Sequence, residues 1–122
     1  MREEQMDTVL KEGIQLYREN HYEDALAAFL KISSTDTELN FDVAYYIGLC
    51  YASLLQYDDA LVYLEQIITA GTDIARVYQC RLILAFIYAK TGRTRLAEFE
   101  LSKLLDAGYD SPQVHTSMAY LA

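Results

Sequence analysis

The sequence predicts an all-α fold: three tandem helical hairpins stacked as an α-α superhelix, followed by a C-terminal capping helix. Three observations predict it. Apolar residues recur at helical spacing, and no stretch alternates with period two for long enough to argue a sheet. Gly71, Gly92 and Gly108 each follow a helical run and suit the left-handed residue just past a helix end. A pair of small residues also returns three times: Gly13 with Ala25, Gly48 with Ala60, and Ala85 with Ala97, each 12 apart, with steps of 35 and then 37 residues between units. Such a period denotes stacked helical hairpins, in which a small residue on the first helix lets the alanine of the second approach closely.

Helices are expected at about 3–18, 22–33, 40–54, 57–69, 73–90, 94–106 and 112–121. The second opens on "HYEDALAAF" and the fourth on "QYDDALVYL", so Glu23 and Asp24, like Asp58 and Asp59, fall in a first helical turn, where acids complement the helix dipole. The third, "DVAYYIGLCYASLL", is apolar on nearly every face and expects cover on every face. Within the fifth, the apolar run "LILAFIYA" is far too short to span a bilayer. Before the sixth, Lys90, Arg93 and Arg95 surround Gly92; a tight turn explains the grouping at least as well as a phosphate site does. Ser111 and Pro112 form the usual N-cap and first-turn pair for the last helix. Proline occurs once and no linker-like tract is present, so one domain covers 1–122, with repeats at about 6–39, 41–74 and 78–111 and the capping helix at about 112–121.

The repeated pattern resembles the tetratricopeptide repeat, whose motif runs W-x2-L-G-x2-Y, then A-x3-F, then P. The second unit matches best, with Ile47, Gly48, Tyr51, Ala60 and Leu64. The first has Gly13, Ala25 and Phe29, with Leu16 at the tyrosine position; the third has Leu84, Ala85, Tyr88, Gly92, Ala97 and Leu101. Tryptophan is absent and the closing proline is missing from the first two joins, so the repeats are divergent. The resemblance implies a concave groove, lined by the first helix of each hairpin, that binds a peptide.

The groove is expected to be mostly apolar and aromatic: Leu10, Ile14 and Tyr17 with Asp7 and Lys11 in unit one, Asp42, Tyr45, Tyr46 and Leu49 with Ala52 in unit two, and Leu82, Ile83, Phe86 and Lys90 with Gln79 in unit three. Members of the family that clamp the C-terminal carboxylate of heat-shock chaperones need lysines, arginine and asparagines there. Leu10, Ile14, Tyr46, Gln79 and Ile83 stand in the corresponding places, so that clamp is not expected. The function this implies is a protein–protein interaction module, an adaptor or small chaperone, taking an apolar or amphipathic segment with Tyr45, Tyr46 and Phe86 as anchors. Three acidic, divergent repeats with an apolar groove are similar in general appearance to the translocator chaperones of bacterial type III secretion. Asp7 and Asp42 at the rim would favour a basic flank on the partner. The alternative is a self-assembling scaffold, a homo-oligomer built through the groove or through "SPQVHTSMAYLA".

Charge excludes other classes. With 10 basic and 18 acidic side chains the net charge is −8, which opposes binding to nucleic acid or to an anionic membrane surface. Residues 1–40 carry four basic and nine acidic groups, and 78–122 carry five and four. Cys50 and Cys80, 30 residues apart, have neither zinc-ligand spacing nor a nearby histidine pair, and read as buried thiols in a reducing, cytoplasmic setting. No P-loop, GxSxG, HExxH or GxGxxG is present, so neither an enzyme nor a cofactor is expected. His21 lies beside Glu23 and Asp24, but the equivalent place in unit two holds Gln56, which makes it a turn residue rather than a ligand or base.

Overall fold

A computed structural model describes residues 2–33 and 36–109. The described residues are helical, with no strand among them: α1 Glu3–Arg18, α2 Tyr22–Leu30, α3 Thr37–Ser53, α4 Tyr57–Ala70, α5 Ile74–Lys90 and α6 Thr94–Asp106. The capping helix expected at 112–121, with Ser111, Pro112 and His115, lies outside the described residues. None of the described helices is long and apolar enough to cross a membrane. The chain divides into two compact units, Met1–Ile67 and Ile68–Ala122, and the division falls inside α4 rather than at a linker.

Two helix ends differ from expectation, both at the join between the first two hairpins. Helix α2 stops at Leu30, where Lys31 and Ile32 donate to the carbonyls of Ala28 and Phe29 and tighten the last turn. Helix α3 begins at Thr37 because Asp36 caps it, its carboxylate accepting from the backbone N–H groups of Glu38 at 2.9 Å and Leu39 at 3.3 Å. Asp73 caps α5 in the same way, accepting from the N–H of Arg76 at 3.3 Å.

The turns inside the hairpins use another device, and use it three times. After α1, Asn20 adopts φ 66 and donates to Tyr17, while His21 donates to the carbonyl of Leu16 at 2.9 Å. After α3, Leu55 adopts φ 63 and Gln56 donates to Tyr51 at 2.9 Å; after α5, Gly92 adopts φ 80 and Arg93 donates to Tyr88 at 2.7 Å. Each is a Schellman closure. In each, the next carbonyl starts the second helix: His21 accepts from Ala25, Gln56 from Ala60 and Arg93 from Ala97. One residue thus ends the first helix and begins the second through its backbone alone, so histidine, glutamine and arginine serve equally well there.

In the first unit the core joins Met6 of α1, Ala25 and Phe29 of α2, Ile32, and Val43, Ile47 and Cys50 of α3. Gly13 sits against the ring of Phe29: a methyl carbon added at Gly13 would lie 2.5 Å from its Cε1. At Gly48 the nearest atom to such a carbon is Cδ2 of Leu64, at 3.0 Å. The closest approach is therefore to the large residue one turn beyond the paired alanine. In the second unit Ala85 clusters with Leu101 and Leu104 of α6, bordered by Tyr78, Leu82, Leu105 and Tyr109. Across that hairpin Arg81 of α5 donates to Glu100 of α6 at 2.8 Å, with side-chain exposures of 22% and 12%.

Candidate interaction surface

The sequence reading assigned a groove to the first helix of each hairpin, and in the structure the residues named for it differ in burial. Three residues along a helix is a rotation of 300°, so a residue three before the small one stands only 60° from it. Leu82, three before Ala85, accordingly borders the cluster of its own hairpin. Leu10, Ile14, Tyr17 and Tyr46 likewise pack against the core of the first unit and are half-buried. Of the remaining residues, Asp7, Lys11, Gln79 and Lys90 are exposed, Phe86 is 49% exposed, and Asp42, Tyr45, Leu49, Ala52 and Ile83 are half-buried. The Nζ of Lys90 lies 5.5 Å from the centre of the Phe86 ring, one turn earlier on α5.

In the first unit the aromatic members touch. The Tyr46 ring stacks on Phe29 of α2 at 5.4 Å, meets Tyr17 of α1 edge-on at 6.1 Å and meets Tyr45 edge-on at 5.4 Å. Tyr17 also meets Tyr22 at 5.5 Å. Edge-on and offset stacked arrangements suit the ring quadrupole. Burial, followed by the neighbouring Tyr22, pushes the Tyr17 hydroxyl above its ordinary pKa, while its hydrogen bond with Ser53 acts the other way. The result is a continuous aromatic ledge on α1 and α3, anchored through Phe29 and keeping part of each tyrosine accessible.

The residues singled out for chemistry behave differently. His21 is exposed at its turn, with Nε2 3.9 Å from the carboxylate of Glu19, and shares a shallow depression with Asn20, Tyr22, Glu23, Asp24 and Leu54. Among the described residues no group of three or more His, Cys, Asp or Glu is placed to hold a metal ion. Cys50 and Cys80 are buried free thiols, and burial pushes both up to about 12, so neither is a thiolate near neutrality. The sequence reading missed the Arg81–Glu100 pair. A signal was present: Glu100 falls three residues after Ala97 and four before Leu104, on the face that packs against α5.

No known family model matches the chain, and no solved structure matches it. Over 61 residues the chain is 43% identical to intraflagellar transport protein 70A of Danio rerio, covering 48% of the chain and 9% of that protein. Against the protein of the same name from Xenopus tropicalis it is 35% identical over 71 residues, 58% of the chain and 11% of the relative. The Xenopus laevis protein gives 34% over 74 residues. The chain spans about a tenth of the length of the curated relatives it matches, and over about half its own length it is similar to intraflagellar transport protein 70A.

Proposed function

We propose that the chain is a protein-binding module of tetratricopeptide type, an adaptor or scaffold with no reaction of its own. Its aromatic ledge receives an apolar or amphipathic peptide segment, and Asp7 and Asp42 favour a basic flank on that segment. The observation that carries this is the ledge itself: Tyr17, Tyr45 and Tyr46 lie in one run of ring contacts on α1 and α3, each half-buried. Aromatic side chains held in place by neighbours lose little entropy on binding and dominate interface energies. On the likeness to intraflagellar transport protein 70A over about half of the chain, we extend the proposal to intraflagellar transport as the process served.

The test is a randomised peptide library panned against the chain, followed by titration of a recovered peptide into the isotope-labelled protein. Amide shifts concentrated at 42–49 are expected, together with at least a tenfold loss of affinity for Tyr45→Ala at unchanged helicity. Shifts centred away from α1 and α3, or an unchanged affinity, would overturn the assignment.

A further inference from the structure

The second unit carries an apolar surface that neither its own hairpin cluster nor the aromatic ledge uses. On α6, Leu96 is 46% exposed and Phe99 54% exposed, and their spacing of three puts them on one face. Lys103, one turn on, holds its Nζ 4.4 Å above the Phe99 ring, and the exposed Arg95 flanks Leu96. This is an apolar strip with basic ends. In the first unit, α1 borders a shallow depression lined by Glu4, Gln5, Thr8 and Val9, with the exposed carboxylates of Glu3, Asp7 and Glu12 on the same helix. Charge follows the same division, with four basic and nine acidic groups in residues 1–40 against five and four in 78–122.

We propose that the α6 strip of one copy docks on the acidic α1 depression of a second copy. The occupant is argued from charge. Copies at net −8 repel when like faces meet, whereas α6 against α1 sets Arg95 and Lys103 beside Glu4 and Glu12, which share the face of the depression, while Leu96 and Phe99 are covered. Two different patches meet, so the contact is heterologous: each copy offers one surface of each kind. This docking is independent of the peptide-binding ledge, whose residues it does not use.

A heterologous contact makes a prediction that a symmetric one does not. Leu96→Asp blocks only the α6 strip; it places an acid in the first turn of α6, where the helix dipole tolerates it. Glu4→Lys combined with Thr8→Lys blocks only the α1 depression. By light scattering over a hundredfold dilution, the native chain is expected to exceed 14.0 kDa at the top concentration and to fall toward it on dilution and in high salt. Each blocked variant alone should stay at 14.0 kDa, and a one-to-one mixture should form a species of twice 14.0 kDa, joined through the intact α6 of one and the intact α1 of the other. Phe99→Asp should substitute for Leu96→Asp with the same result. A native chain that stays at 14.0 kDa at every concentration would overturn the proposal, as would a mixture of variants that fails to pair while the native chain associates.

Discussion

The hairpin α1–α2 and the hairpin α5–α6 close at equivalent positions with different chemistry. In the first, a glycine meets a phenylalanine ring, Gly13 against Phe29; in the other, an alanine clusters with a leucine, Ala85 with Leu101. One turn before Ala85 the second unit adds a charged pair, Arg81 with Glu100, where the first unit has Val9 packed on its core. The same backbone turn and the same spacing therefore tolerate both close approach to a rigid ring and a polar bridge. What each hairpin cannot tolerate should differ accordingly.

The largest expected effect is in the polar bridge. Glu100→Ala removes the acceptor and leaves the Arg81 guanidinium beside an apolar cluster; breaking a fully buried pair costs about 3–5 kcal/mol, and the 22% exposure of Arg81 reduces this to about 2 kcal/mol. Urea denaturation should register the loss, and amide exchange should accelerate first in α5 and α6. Replacing both partners by methionine should leave stability within about 1 kcal/mol of the native chain. A double variant as weak as Glu100→Ala would mean that the pair does more than satisfy itself.

Next is the glycine contact. Gly13→Ala gains up to about 1 kcal/mol of helix propensity but drives a methyl carbon to 2.5 Å from a ring with 0% exposure, so a net loss of about 1–2 kcal/mol is expected. Gly48→Ala meets the flexible end of Leu64 at 3.0 Å and should fall within about 1 kcal/mol of native. Equal melting temperatures for the two variants would show that Phe29 moves aside as readily as Leu64, and the contrast between ring and leucine would fail. A gain of about 1 kcal/mol is expected from Leu55→Gly, since a leucine at φ 63 carries the left-handed penalty that Gly92 avoids at the equivalent turn. An unchanged melting temperature for Leu55→Gly would locate a compensating contact of the side chain, although it is 69% exposed.

These positions also show how far the sequence was legible. The hairpins could be read because the 12-residue spacing of Gly13 with Ala25, Gly48 with Ala60 and Ala85 with Ala97 is short enough to mark a helix, a tight turn and a second helix, and it recurs three times. The left-handed Leu55 was hidden because neither glycine nor asparagine marks it, yet its register, 35 residues after Asn20, gives it away. Glu100 was hidden because a charge in "AEFELSK" reads as solvated unless its helical phase is compared with Ala97 and Leu101. How far each residue named for the groove packs inward was not legible. Leu10 and Leu82 turn toward cores because positions three before the small residue lie close to it in rotation. Partner identity is not legible at all, because it depends on a surface that the chain does not carry.

The smallest effect near neutrality is also the sharpest discriminator between the units, because Cys50 lies in the first and Cys80 in the second. Burial raises both thiols from 9.0 to about 12. The folded state favours the protonated form, so this contribution is complete below pH 9 and is lost as pH rises toward 12, at up to about 1.4 kcal/mol per pH unit for each thiol. Between pH 6 and 8 the two thiols should leave the urea midpoint unmoved; above pH 9 it should fall. Under native conditions a thiol reagent reaches either cysteine only when its surroundings open, so its labelling rate reports that opening. Glu100→Ala is expected to accelerate labelling of Cys80 more than of Cys50, and Gly13→Ala to do the reverse. If either substitution accelerated both cysteines equally, the two units would be opening as one, and the chemical difference between their hairpins would set the total stability rather than its distribution.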